Sequence, residues 1–362
     1  MNRNNPYSLS EEKPVSRIFS GRTMEISRIF SRIGAARPQS VSLIGEPGIG
    51  KSSLLEYLRT EKVMADYLEE PEDVVLMEKK ISKDNDLEQS PVEFIDSLSA
   101  MIMDRTKTSS EDSGYEGFMD LIKKLDDTLF KLVFCFDDFH HITENTGYPM
   151  EFFSFLRSAA NNYNVAYITT SPLELQKLCV SQVVEESPFF NIFTNIPLRP
   201  FKQKEALEFI IEPSAAAGLS LKDYSDKIIE WAGTVPMDLN FACEILFDSL
   251  AEADSGRISD KELKDFEEKY SATMAAEYKK RWEKFGPEFK DVFINLISAK
   301  KIHKSRKYLA IELERKGYLA GESKDFKVLS DGFVQYIGFV SGIEPVRTGR
   351  KNWFTRFFSK KS

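Results

Sequence analysis

The stretch Gly45-Glu46-Pro47-Gly48-Ile49-Gly50-Lys51-Ser52 decides how the rest of the chain is read. It follows the apolar run Val41-Ser42-Leu43-Ile44 and precedes Ser53-Leu54-Leu55-Glu56-Tyr57-Leu58, which reads as helix. A strand, then G-x-x-x-x-G-K-S, then a helix is the context of a phosphate-binding loop. The glycines let the backbone curl so that successive N–H groups point inward at an anion. The helix N-terminus adds unsatisfied N–H donors and the positive end of its dipole. Gly45, Glu46, Pro47, Gly48, Ile49, Gly50, Lys51, Ser52 and Ser53 are therefore expected to cradle a nucleotide phosphate. Lys51 is expected at the β- and γ-phosphates, and Ser52 to place its hydroxyl on Mg²⁺.

The second acidic half of such a site lies at Lys131-Leu132-Val133-Phe134-Cys135-Phe136-Asp137-Asp138. Five apolar residues ending in two aspartates suit a buried parallel strand that delivers acids at its C-terminal edge. Asp137 is expected to hold Mg²⁺ through Ser52 and a water shell. Asp138 is expected to polarise the attacking water as general base. Thr169, Thr170 and Ser171 end the next strand, and the Thr170 hydroxyl is a candidate contact for the γ-phosphate or the water. A plain strand end with Ser171 as a helix cap is the equal alternative. His140 and His141 read as surface or packing residues, and Arg157 as a solvated helix arginine.

Around these pieces strands and helices alternate. Residues 24–33 have helical apolar spacing, and residues 73–77 read as a buried strand. Ser90-Pro91-Val92-Glu93 is a capping box with proline at the first helical position, and residues 106–117 read as a polar surface loop. A helix over 151–160, a strand over 165–170, a helix opened by Ser171-Pro172-Leu173-Glu174 and a last strand over 192–198 complete the series. The sum is an α/β domain, a three-layer P-loop NTPase parallel sheet over residues 15–200, after a lead-in of residues 1–14. From Pro200 the pattern is helical: 202–212, which Pro213 is expected to end or kink, then 221–231 and 236–250. These form an α-helical lid domain over residues 201–258. A linker at 251–256 and a long helix from 259 to 285 follow. Two helices, a strand-turn-strand piece at 318–329 and a short helix then suggest a winged-helix domain, giving residues 259–345 as a further unit.

Composition narrows the function classes. The 362 residues carry a net charge of −8, so the chain as a whole is no polyanion binder. Cys135, Cys179 and Cys243 are far apart with apolar neighbours and read as core residues of a reduced, cytoplasmic protein. No Cys/His spacing resembles a zinc site, no apolar N-terminal core suggests a signal peptide, and no run is long enough to span a membrane. Two basic stretches stand apart. Residues 300–307 hold five Lys/Arg and no acid, where a DNA-binding winged helix would meet phosphate; a solvated turn is the plainer reading. The tail, residues 346–362, holds six basic residues and the aromatics Trp353, Phe354, Phe357 and Phe358. A weak membrane contact, a docking peptide for a protein partner, or packing on the body all fit it.

The phosphate loop, the Asp137-Asp138 strand, Phe19-Ser20-Gly21-Arg22, Leu198-Arg199-Pro200-Phe201 and Trp231-Ala232-Gly233-Thr234-Val235-Pro236 together resemble the STAND branch of AAA+-type ATPases. The resemblance implies ATP with Mg²⁺ between core and lid, Gly21 and Arg22 near the base, and Pro236, in the turn begun by Gly233, against the adenine. The family often has an arginine where this chain has Pro172, so hydrolysis is expected to be slow. The implied function is an ATP-binding switch whose nucleotide state controls self-assembly or binding of an unidentified protein partner. The alternatives are a DNA-binding, initiator-like AAA+ ATPase and a non-hydrolysing membrane or partner adaptor. The guanine-reading Asn-Lys-x-Asp is absent from the sequence.

Overall fold

Seven consecutive buried residues, Val165–Ser171, form the central strand of a five-stranded parallel sheet. The computed structural model describes residues 4–8, 19–81, 89–179, 181–253, 257–321 and 326–346. The chain divides into two compact units: Arg22–Leu198, and Met1–Gly21 together with Arg199–Ser362.

The first unit runs α1 (Thr23–Ile33), β1 (Val41–Ile44), α2 (Lys51–Leu58), α3 (Glu61–Tyr67), β2 (Val74–Lys80), α4 (Pro91–Thr106), α5 (Gly114–Asp126), β3 (Lys131–Asp137), α6 (His140–Thr143), α7 (Met150–Asn162), β4 (Val165–Ser171), α8 (Gln182–Glu185) and β5 (Thr194–Pro197). The sheet order is β2-β3-β4-β1-β5. All pairs are parallel, with Leu43 and Cys135 opposite Thr170 and Ile168 of β4. The C-terminal edges of β1 and β3 therefore open at the same end of the sheet, flanking β4. Aromatic packing fixes that end: Phe136 and Phe139 stack at 5.2 Å and bracket the two aspartates, and Phe136 also stacks on Tyr167 at 5.7 Å.

Ser90 caps α4 as the sequence indicates, with the Ser90 and Glu93 side chains and backbones bonded reciprocally. Two expectations are corrected. The polar loop at 106–117 is shorter, because α5 starts at Gly114 and buries Phe118, Leu121, Ile122 and Leu125. Its glycines look like breakers but answer crowding: a Cβ on Gly117 would lie 2.3 Å from the Asp112 carbonyl oxygen. No α-helix opens at Ser171 either. The strand continues through Ser171, paired with Ile44, and the Ser171 hydroxyl donates to the Leu173 carbonyl instead of capping. A 3₁₀ turn, Leu175–Leu178, follows, and the four-residue α8 starts only at Gln182.

The second unit runs α9 (Gln203–Ala216), α10 (Ser225–Ala232), α11 (Pro236–Glu252), α12 (Asp260–Lys284), α13 (Pro287–Ile297), α14 (Lys307–Arg315), the antiparallel pair β6 (Leu319–Ala320) and β7 (Lys327–Val328), and α15 (Asp331–Ser341). Helices followed by a short antiparallel pair make the winged-helix order. One apolar core links both parts of this unit, from Phe201 and Trp231 through Tyr270 to Ile337. Inside it Asp238 of α11 and Arg281 of α12 form a two-pronged ion pair, both bonds 2.6 Å, with side chains 2% and 12% exposed. Ser330 caps α15, donates to the Trp231 carbonyl at 2.7 Å and lies 3.3 Å from the Tyr278 hydroxyl, tying α10, α12 and α15 together.

Of the two effects expected of Pro213, an end is corrected: the helix runs on through it to Ala216. Without an N–H it leaves the Phe209 carbonyl, four residues back, without its helical donor. The hydroxyl of Tyr7, fully buried, shares its one proton between that carbonyl, at 3.3 Å, and the closer Ile210 carbonyl. The N-terminal segment is held there by Asn5 Nδ2 to the Glu244 carbonyl (2.9 Å) and Asn240 Nδ2 to the Tyr7 carbonyl (2.8 Å).

Arg17 and Ile18, part of the linker expected at 251–256 (residues 254–256), the turn expected within 318–329 (residues 322–325) and the tail from residue 347 onward lie outside the described residues. Among the described residues no helix is long and apolar enough to cross a membrane.

Candidate nucleotide-binding site

The loop between β1 and α2 needs its glycines for separate reasons. Gly48 and Gly50 sit at φ +80° and +89°, and Gly50 is the N-cap of α2. Gly45 is confined by space, since a Cβ would lie 2.9 Å from both the Leu198 carbonyl oxygen and the Ile49 side chain. Ile49 is buried and anchors the loop, while Pro47 is exposed and Glu46 half-buried. Lys51 Nζ donates to the loop carbonyls of Gly45 (2.7 Å) and Glu46 (3.3 Å). Ser52 is exposed and Ser53 half-buried in the first turn of α2.

Arg22 braces this loop from behind. It is 4% exposed in a left-handed conformation at φ +61°, and its Nη2 donates to the Ile49 carbonyl at 3.0 Å. Its Nη1 lies 3.6 Å from the Glu25 carboxylate. Gly21 and Pro236 belong to the second unit: Gly21 at φ +74° is crowded by Glu205, and Pro236 opens α11.

At the end of β3, Thr170 joins the two acids. Its hydroxyl donates to Asp137 Oδ1 at 2.6 Å and accepts the Asp138 backbone N–H at 2.8 Å. The Phe139 N–H adds a bond to the Thr170 carbonyl at 3.1 Å. That hydroxyl holds the tips of β3 and β4 together. Asp137 is 1% exposed. Among the described residues no lysine, arginine or histidine lies within ion-pair distance of it. A buried carboxylate with one neutral donor, and a serine hydroxyl on the phosphate loop of the same unit, are hard oxygen ligands that fit Mg²⁺.

Asp138 differs from its neighbour. It turns out of the strand at φ +56°, a strained conformation for a residue with a Cβ, and its side chain is 41% exposed. Burial, then the Asp137 charge, raise its pKa above the ordinary carboxylate value, against the pull of Lys51, His141 and Lys80. That influence of Lys51 places the loop lysine and Asp138 in one electrostatic neighbourhood. Arg157 is exposed on α7. The bracing by Arg22 and the tie by Thr170 were not readable from the sequence, because no spacing rule links residues 22 to 49 or 170 to 138.

A parallel sheet with a glycine loop at β1 and paired acids at β3 defines a P-loop NTPase. Residues 35–297 match the model of the family described as novel STAND NTPase 2, and the chain belongs to that family. No curated protein matches the chain. Among solved structures the chain is similar to a Walker-type ATPase of Pyrococcus abyssi, with 17% identity, 92% of this chain and 99% of that chain covered, and a TM-score of 0.57. It is also similar to the ORC2 protein of Aeropyrum pernix in its ADPNP–ADP complexes, with 12% identity, coverage of 94% and 98%, and a TM-score of 0.56. At these identities the likeness is one of fold.

Proposed function

We propose that this protein is an ATP-binding switch of the STAND/AAA+ kind with slow Mg²⁺-dependent hydrolysis, its nucleotide state controlling self-association or capture of a protein partner. The observation that carries the reading is the Thr170 tie, which presents Asp137 and Asp138 side by side in the unit that holds the phosphate loop. Gly45 to Ser53 bind the phosphates, with Lys51 released from the loop carbonyls to meet them. Ser52 and Asp137 hold Mg²⁺, which supplies charge neutralisation at the phosphates. Asp138, half-exposed beside Asp137, orients the water and takes its proton. Thr170 acts by positioning. Arg22 keeps the loop in shape, and Gly21 and Pro236 are proposed to approach the base. The adenine preference rests on the family resemblance, the ADPNP–ADP complexes of the ORC2 protein and the missing guanine-reading motif.

The test is mass by light scattering of the full chain, with and without a slowly hydrolysed ATP analogue and Mg²⁺. A nucleotide-dependent rise that Lys51→Ala abolishes supports the switch. An unchanged mass argues against assembly and turns attention to a partner.

A DNA-binding reading has one observation in its favour. Lys300, Lys301 and Lys304 are exposed just before α14, beside exposed Tyr308 (59%) and Ile311 (43%) on that helix. It predicts salt-dependent DNA affinity that falls when those lysines are neutralised. The tail remains the place to look for a membrane or partner contact, tested by ending the chain at Val346.

A further inference from the structure

His140, His141 and Glu144, just beyond the two aspartates, form a cluster that the nucleotide chemistry does not use. One ligand atom from each lies within 4.8 Å of the others. The two imidazoles lie 4.0 Å apart between ring centres, tilted by 42°, so the short helix α6 turns neighbouring side chains to one place. The His141 Nδ1 is buried, has no hydrogen-bond partner, and lies 3.7 Å from the Glu144 carboxylate. That gap is too long for a hydrogen bond. It is close to the roughly 3.4 Å between neighbouring donors of a tetrahedral ion with ligands at about 2.1 Å. The histidine side chains are 13% and 15% exposed and that of Glu144 37%, so the carboxylate side opens to solvent.

We propose that His140, His141 and Glu144 form a binding site for a divalent transition-metal ion of the zinc class. Two imidazoles and one carboxylate are a borderline-soft set that prefers such ions to Mg²⁺, and three protein ligands leave one position for water. The site shares no ligand with the Mg²⁺ position proposed at Ser52 and Asp137. Its consequence reaches the hydrolytic acid, because His140 Nδ1 lies 3.8 Å from Asp138 Oδ1. An ion here fastens α6 next to Asp138 and is expected to slow turnover. The binding itself does not depend on Asp138 being the base.

The experiment titrates metal-free full-length protein with Co²⁺ in excess Mg²⁺ and follows visible absorption. The site predicts one Co²⁺ per chain with the intense bands of a tetrahedral centre, displaced by Zn²⁺ and indifferent to Mg²⁺. Outer partners of a metal are already worth about 10–100-fold in affinity. His141→Ala and Glu144→Gln, which remove ligands, are therefore expected to weaken Co²⁺ by at least about tenfold, with melting temperatures confirming that the variants fold. Weak octahedral bands only, or tight Co²⁺ binding that survives in the His141→Ala/Glu144→Gln double variant, overturns the proposal. Both results are read from metal binding alone, with no activity measurement.

Discussion

Replacing Thr170 by valine removes one hydroxyl and almost no volume from the point where β3 and β4 meet. Thr170 is fully buried, so water cannot stand in for it at the Asp137 side. The bond to Asp137 is short at 2.6 Å, and a hydrogen bond to a charged group is worth about 1.5–3 kcal/mol. The Asp138 N–H loses its acceptor as well, at about 1–3 kcal/mol for a buried group, reduced where water reaches it. The half-exposed Asp138 puts that second loss at the low end, so the sum is about 2–4 kcal/mol for the Arg22–Leu198 unit. For a unit of this size that lowers the melting temperature by roughly 5–15 °C. Thr170→Ser keeps both bonds and gives up one methyl, about 1 kcal/mol. Calorimetry on the full chain should rank wild type, Thr170→Ser, then Thr170→Val. Steady-state ATP turnover should fall about 10–100-fold in Thr170→Val, the scale of a lost outer-sphere support, with a smaller change in nucleotide affinity. If Thr170→Val melts and turns over like Thr170→Ser, the hydroxyl does not hold the acids.

Tyr7→Phe should destabilise the second unit by about 1–2 kcal/mol. The cost should shrink in a Pro213→Ala background, where Phe209 regains its helical donor; equal costs in both backgrounds contradict the repair. Arg281→Met should cost about 3–5 kcal/mol by leaving Asp238 buried and unpaired. The Asp238→Leu/Arg281→Met double variant should recover most of it, and thermal melts of the three proteins decide. Arg22→Met should weaken binding of a fluorescent ATP analogue about tenfold, or about 1.4 kcal/mol, through the slackened loop; an unchanged affinity removes Arg22 from its bracing role.

The sheet and the phosphate loop were legible because each rests on a local pattern. Apolar runs of strand length, a capping box at Ser90 and the glycine spacing before Lys51 each specify structure within a few residues. What was missed depends on contacts that no local pattern specifies. Pro213 reads as a helix end or kink, and the helix runs on through it with the Tyr7 hydroxyl beside the stranded carbonyl. Gly114 and Gly117 read as loop residues until Asp112 is seen pressed against Gly117. Ser171 has the sequence of a cap, but pairing with β1 holds it in the strand. At the site the acids were visible as residues, whereas the device that aims them, a hydroxyl on the neighbouring strand, has no sequence signature. The same holds for His140 and His141: their meeting with Glu144 depends on one short helix, not on a recognised metal spacing.

The nucleotide chemistry is tested most directly by paired measurement of ATP binding and ATP turnover in Mg²⁺ for wild type, Lys51→Ala and Asp138→Ala. Wild type should bind and slowly hydrolyse ATP, Lys51→Ala should lose binding, and Asp138→Ala should bind as wild type does but no longer turn over. Wild-type turnover in Asp138→Ala, or undiminished binding in Lys51→Ala, contradicts the roles assigned to these residues.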